Sequence, residues 1–531
     1  MGVALSLGWH DICLTKGIPG RDIYLIFLKL NSIATIPGGS LFMKKNNIIR
    51  AAVSAFEQSF SCFCQNNPDC LDNLDDNNFK TITYALINAA KKAGTEGLKH
   101  YLTENDNKSK STINFNEQKF TYKGTSSKKY LTLFGKVSVE RSIYYDEIHG
   151  GEYLIPIDRA LGLCKNDFAT LETREMILFA SSNSTPRELE ELLQKASLCN
   201  PSRSAIQHII NKDGDCMEQF KDELIDNTVE QLQIPESSNA VVISIDGANV
   251  LVNEPGKKKG PKKKRPGSSK KCKKNKRDNT AVANPDIKPT SYQNAMVGSV
   301  SFYETDSENK PNRLQSIYTS RMPEEKSVEF KADMNKIIAS LNEKIDCSDK
   351  TIAKVFLTDG HLMIKGYVKD NPQLEAFEHC IDFFHVAEHL SKAADILYGE
   401  NTDLSQCWYS KWRERLKTDE NAPQNIIRSM QGMLSRKNFS KKNAENLQRE
   451  ITFFKNNKNL MKYPNLIDRG LPIGSGPIEA ACKVIVKQRM CRSGMRWSKE
   501  KGQHVLSIRA LVKSKLWNNT WEKLKELKKA A

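Results

Sequence analysis

Apolar residues recur every three to four positions through residues 44–103, and "FKTITYALINAAKKAGTEGLKHYL", Phe79 to Leu102, is the clearest amphipathic helix there. The spacing then changes. "KSKSTINFNEQKFTYKG" is polar and strand-like, and "YLTLFGKVSVERSIYY", Tyr130 to Tyr145, alternates with a period of two on both sides of Gly135-Lys136, which predicts a β-hairpin. Helical spacing returns from Asn166 to about Gln233. Within it "STPRELEELLQKA" has Ser184 or Thr185 as a cap and Glu188 in the first turn, and "SRSAIQHIINK" starts a second helix after the break "SLCNP". Two short helices across so tight a break predict either a helix-turn-helix or an ordinary helical hairpin.

From Asn239 the pattern is that of a buried sheet. "AVVISIDGANV" reads as an apolar strand ending in Asp246-Gly247, followed by strands in "QNAMVGSVSFYE" and "RLQSIYTSRM" and an amphipathic helix in "EEKSVEFKADMNKIIASLNEKI". "TIAKVFLTDG" gives a fourth strand ending in Asp359-Gly360; a helix near His361 to Lys369 and a fifth strand in "FEHCIDFFH" follow. The order β-β-β-α-β-α-β predicts a mixed α/β sheet with an antiparallel start. Val386 to about Tyr463 is helical, and further helices are expected near Pro477 to Met490, Lys499 to Val512 and Trp517 to Lys529.

Composition narrows the partners. The chain has 531 residues and a net charge of +17, but 13 lysines and arginines and no acid fall between Lys257 and Arg277, leaving only +4 elsewhere. A run that repels itself and has nothing apolar to bury does not fold alone. It reads as a solvated insertion, a polyanion-binding arm or a localisation patch, with nucleic acid the favoured partner. Thirteen cysteines without a C-x-x-C pair point to free thiols in a reducing compartment and away from structural zinc. No apolar run is long enough for a membrane-spanning helix, so no membrane partner is expected. Residues 1–42 read as a leader of uncertain standing, untranslated if Met43 is the start.

Two Asp-Gly pairs at the ends of apolar strands raise two readings. Asp-Gly is a favoured hairpin turn, because both residues tolerate positive φ. Two such pairs in one sheet, however, place carboxylates where α/β sheets form ligand sites. Glu479, in "GLPIGSGPIEA", is either an acid favoured by a helix N-terminus or a third ligand. Ser475 and Glu479 do not have the spacing of a capping box. Gly474 and Gly476 suggest close backbone approach to a sheet edge or a phosphate strand. Three carboxylates holding two Mg²⁺ would stabilise the attacking and leaving oxygens of an in-line phosphoryl transfer.

The stretches "ISIDGANV", "FLTDGHLMIKGY", "CIDFFHVAEHL" and above all "GLPIGSGPIEAACKVIVKQRMCRSGMRWS" resemble the DDE-type bacterial insertion-sequence transposases of the ISKra group, whose catalytic core is RNase H-like. The resemblance covers about Asn239 to Trp517 and extends weakly to the hairpin and to Leu161 to Leu163. It implies that Asp246, Asp359 and Glu479 are the catalytic and metal-holding acids, with Mg²⁺ as cofactor and Mn²⁺ as its substitute. "DFFH" resembles the D-x-x-H signature of relatives, making Asp382 and His385 a secondary motif; a strand-end polar residue beside a helix-capping His is the competing reading. Lys483, Lys487, Arg489, Arg492, Arg496 and Trp497 are expected along bound DNA, as are Lys262, Lys263, Lys264 and Arg265 of the basic loop; a solvated basic helix is the alternative for the first group. Two departures stand out: no paired cysteines follow the hairpin, and the basic loop is unusually long.

The implied organisation is a mainly helical and β-hairpin DNA-binding region over 43–235, an RNase H-like α/β core begun at 239–385 and interrupted by the loop at 257–277, a helical insertion at 386–463, and the end of the core with C-terminal helices at 464–531. The implied activity is cleavage at insertion-sequence ends and strand transfer into target DNA. The protein is expected in the bacterial cytoplasm, on the nucleoid, as a homo-oligomer when two terminal inverted repeats are synapsed. A non-catalytic DNA-binding protein and a metal-dependent nuclease without strand transfer are the alternatives.

Overall fold

Burial of both faces of β5, Ala240–Asn253, explains the architecture of the larger part of the chain. Val241, Ile243 and Ile245 pack into one core with helix α7, Val328–Asp346, while Ala240 and Val242 face a second core with α9, Phe383–Tyr398, and the helices that follow it. Covered on both faces, the strand reads as one apolar run. The computed structural model describes residues 40–106, 110–115, 118–146, 150, 153–164, 166–196, 199–253, 290–360 and 362–530. The leader before residue 40 and the basic loop at 257–277 lie outside these.

The chain divides into two compact units, residues 1–173 with 193–200 and residues 174–192 with 201–531. In the first, α1, Ser40–Asn66, packs on α2, Asp76–Glu104. A four-stranded antiparallel sheet follows, in the order β1 (Thr112–Phe115), β2 (Gln118–Thr132), β3 (Gly135–Tyr145) and β4 (Tyr153–Leu154). The expected hairpin is present, but Thr132 pairs with Gly135, so the reversal is at Leu133-Phe134 and Gly135, at φ +130°, opens the return strand.

The second unit holds a five-stranded mixed sheet. With β6 (Thr290–Thr305), β7 (Pro311–Arg321), β8 (Ala353–Thr358) and β9 (Glu378–Ile381), its order is β7-β6-β5-β8-β9. The first three strands are antiparallel; β8 and β9 run parallel to β5. Helix α8, Leu362–Lys369, follows β8. The helical block is α9, α10 (Asp403–Thr418), α11 (Ala422–Arg436) and α12 (Lys441–Asn457). It starts at Phe383 rather than Val386, because Asp382 caps α9 and ends the fifth strand at Ile381. Among the described residues no helix is long and apolar enough to cross a membrane, and no disulfide forms among the described cysteines.

Helices α3 (Leu171–Ser181), α4 (Pro186–Lys195), α5 (Arg203–Gln219) and α6 (Lys221–Gln231) were expected with the N-terminal region, yet the division falls near residue 173 and most of them belong with the sheet. Buried polar bonds account for this. Asp213 on α5 accepts from Arg174 and from Lys528 on α15, Trp517–Ala530, and α5 also packs on α14, Lys499–Lys513. The cap of α4 is Thr185: its hydroxyl accepts from Glu188 N–H at 3.2 Å, and Glu188 accepts from Thr185 N–H at 2.7 Å. This reciprocal pair holds the Glu188 carboxyl below its usual range, with the Arg492 guanidinium adding to the effect. Thr185→Ala is expected to cost ~1 kcal/mol in chemical denaturation, since one of the two reciprocal bonds is lost.

Candidate functional site

Asp246 does not end its strand. β5 continues antiparallel to β6 as far as Asn253 opposite Thr290, while its parallel pairing with β8 stops at Ser244 opposite Leu357. Gly247 is therefore no turn. A glycine suits this position because the Asn294 side chain on β6 occupies the space of a β-carbon, which would lie 2.2 Å from the amide nitrogen. Asp359 is the first residue beyond β8, and Gly360 makes the turn at φ +81°. Continuing the parallel register by two places sets Asp246 beside Asp359, where strands lie about 4.8 Å apart. Asp246 shares the parity of Ala240 and Val242 and so belongs to the face covered by α9.

Glu479 comes from the opposite wall. Its helix, α13, Gly476–Ala481, runs into a π-helical turn at Cys482–Lys487 and a last α-turn at Gln488–Met490. The loop leading into it is fixed by Asp382, 2 % exposed, which accepts from Ser475 N–H at 3.1 Å and Ser475 Oγ at 2.9 Å as well as from Phe384 N–H. Ser475 thus binds a carboxylate instead of capping its own helix. Gly474 allows this approach, since a β-carbon there would lie 2.7 Å from the Phe384 ring; at Gly476 the same position meets nothing within 4 Å. Far along β5, Trp497 N–H donates to Leu251 O and Asn253 N–H to Trp497 O, which ties the end of this segment back to the strand bearing Asp246.

Between the two walls lies a cavity of about 270 Å³. Asp246, Asp359 and Glu479 all line it, with His385, Cys482, Lys483 and Lys487. Burial raises the Asp246 carboxyl above the usual carboxylate range and the charge of Asp359 adds to this; the bond from Gly247 N–H, at 2.6 Å, and the Lys487 ammonium oppose it. Cys482, 2 % exposed, is pushed up by burial and by its contact with Asp246, so it is a neutral thiol.

Neither the scan against protein-family models nor the search of curated proteins gives a match.

The three acids share a cavity but not a finished coordination sphere: among the described residues no three His, Cys, Asp or Glu side chains are grouped closely enough to hold a metal ion as they stand. The donor chemistry nevertheless fits a hard divalent cation. Asp246 on the central strand and Asp359 just past the end of β8 line one cavity at an electrostatic cost that a cation would relieve, and an exposed third acid faces the same space.

The residues expected along DNA separate into two sets. Lys483 and Lys487 are exposed on the cavity wall, and Arg496 is exposed further along. Arg489 must be corrected: it is 2 % exposed, donates to Ser181 O and Ser184 O, and lies 5.2 Å from the Trp497 ring centre. Trp497 correspondingly packs on Arg489 and donates to Met490 O, so the pair is an internal brace. Arg492 Nη1 donates to both Glu188 carboxylate oxygens, at 2.7 and 2.8 Å, and its Nη2 to Asn183 O. Charge patterning cannot tell a buried arginine serving carbonyls from one facing phosphate. Lys262, Lys263, Lys264 and Arg265 lie outside the described residues.

Of the secondary motif, Asp382 anchors the loop before Glu479 and His385 faces the cavity. His385 packs edge-on against His389, which stacks on Phe453 and meets Glu450 at 2.6 Å. Cys482, His389 and Glu450 escape a sequence reading. His389 is one helical turn beyond His385, a spacing that marks a shared face, but nothing in the sequence pairs it with Glu450.

Proposed function

We propose that the chain is a DDE-type DNA transposase of the insertion-sequence kind it resembles, with an RNase H-like core that cleaves element ends and joins them to target DNA. The observation that carries this reading is the opening of Asp246, Asp359 and Glu479, from three distant stretches of sequence, onto one cavity flanked by two lysines. The strand order supports it as well. The first acid lies on the first strand of the mixed sheet, the second follows the fourth strand, and the third is on a late helix, which is the arrangement the resemblance implies.

Asp246 and Asp359 would hold Mg²⁺ or Mn²⁺ beyond the end of β8, and Glu479 would complete the set from α13. Such ions supply Lewis-acid stabilisation of the oxygens that attack and leave phosphorus. Lys483 and Lys487 place ammonium groups where the phosphodiester must pass, offsetting the charge of two carboxylates on an anionic substrate. Asp382 and the π turn keep the Glu479 wall in register with the sheet. Polar groups at the start of α5, the exposed Arg203 and Ser204 and the half-buried Gln207, lie beside the α4 N-terminus and suit a helix-turn-helix read in the major groove. The reading places the protein on nucleoid DNA, as a homo-oligomer when two ends are synapsed.

The test is a reaction of the purified chain with Mg²⁺ or Mn²⁺, a labelled duplex from the DNA flanking its gene, and a supercoiled plasmid. Labelled ends covalently joined to plasmid are expected. Hydrolysed ends without joined product would assign a nuclease, and retention without cleavage in either ion would assign a DNA-binding protein.

A further inference from the structure

Phe384, the second residue of α9, is left unused by the catalytic reading. It is a phenylalanine with 57 % of its surface exposed, between Asp382, which holds the Glu479 loop, and His385, which lines the cavity. Its position is fixed. Its N–H donates to Asp382 at 3.1 Å, its ring lies edge-on to Phe383 with centres 5.7 Å apart, and it covers Gly474 closely enough to exclude any β-carbon there. Cations lie nearby, two of them over the ring of the neighbouring, buried Phe383. The Arg413 guanidinium and Lys417 ammonium of α10 lie 5.4 and 5.6 Å from the Phe383 ring centre, Lys483 and Lys487 flank the cavity, and the backbone at Gly476 is open.

We propose that Phe384 is a stacking platform for one nucleobase of the DNA strand whose phosphate enters the carboxylate cavity. This rests on the catalytic reading and adds a subsite to it. A rigid aromatic face accepts any base, so the platform holds an unpaired or splayed nucleotide next to the cut without reading its identity. Adjacent cations take the flanking phosphates, and the base is then gripped on one side of the reacting bond. A solvent-facing phenylalanine has little to contribute to the folded core, so its loss is expected to be felt in DNA handling rather than in folding.

The experiment places 2-aminopurine in turn at each of the last nucleotides of the cleaved strand, in a duplex from the DNA flanking the gene, with Ca²⁺ present to allow binding. Wild-type protein is expected to change the fluorescence at one position. Phe384→Ala loses that change and cleaves about tenfold more slowly in Mg²⁺, the size expected from one base-stacking contact, whereas Phe384→Trp keeps both. Asp246→Asn keeps the fluorescence change while losing cleavage, which separates this subsite from the chemistry. Cleavage and fluorescence unchanged in Phe384→Ala overturn the stacking role and leave the catalytic reading standing. Equal impairment in Phe384→Ala and Phe384→Trp marks a packing role over Gly474 and overturns it too, and absence of wild-type binding to any such duplex ends both readings.

Discussion

Asp246→Asn is expected to lower divalent-ion-dependent cleavage of an end duplex by a factor on the order of 10²–10³ or more while leaving duplex affinity nearly unchanged. Asp359→Asn and Glu479→Gln are expected to do the same, because each removes one anionic oxygen donor from a single cavity. The Asp246 change carries a second, opposite signature. Its carboxyl is raised by burial and by Asp359, so its charge weighs against the folded state. That burden is absent below the unfolded value, about 3.9, and complete once pH exceeds the raised folded value. Metal-free Asp246→Asn should therefore melt slightly higher than wild type at pH 7, by about 1–2 °C, and no higher near about pH 3. Kinetics together with thermal melts in chelator check both; an inactive variant that also melts lower at pH 7 would point to a structural acid.

Arg509→Met is expected to destabilise the chain by about 3 kcal/mol. Arg509 is 2 % exposed, and its guanidinium serves three segments at once. It donates to Val484 O within the π turn, to Ser182 O and Asn183 Oδ1 ahead of α4, and to Gln488 Oε1. Burial and the neighbouring Arg492 lower its pKa to about 10, and it is still protonated at neutral pH. Methionine fills much of the volume but leaves the buried Ser182 O and the half-buried Val484 O without this donor, each at roughly 1–3 kcal/mol. Arg509→Lys should recover only part of the loss, since a single ammonium cannot replace the planar fork. Hydrogen exchange across 482–488 should rise in both variants, because the helix that carries Glu479, Lys483 and Lys487 loses its external support. Denaturation midpoints equal to wild type would show that the π turn holds itself.

Apolar runs and turn residues made the five strands of the mixed sheet, their antiparallel start and the late helices legible, because a strand buried on both faces has few ways to read otherwise. The errors were local. Asp246-Gly247 resembled a turn since Asp-Gly usually is one, and only the Asn294 side chain on the partner strand explains a glycine inside β5. Asp382 resembles a strand residue in sequence because its three hydrogen-bond donors come from its own helix and from Ser475, 93 residues away. Arg489 and Trp497 carried the composition of a DNA-binding segment but close on one another. Of the candidate site, the acids could be chosen from sequence, whereas Cys482 and the His389–Glu450 contact depend on the π turn and on helix packing that no spacing reports.

The central claim is that Asp246, Asp359 and Glu479 bind the same divalent ions. Loading the protein with Fe²⁺ in place of Mg²⁺ and generating hydroxyl radicals with ascorbate and peroxide cuts the backbone close to the bound metal, whether or not any DNA is turned over. Cuts near residues 246, 359 and 479 together, suppressed by excess Mg²⁺ and absent in Asp246→Asn, are the expected result. Cuts confined to one segment, or a pattern that Asp246→Asn leaves intact, would contradict it.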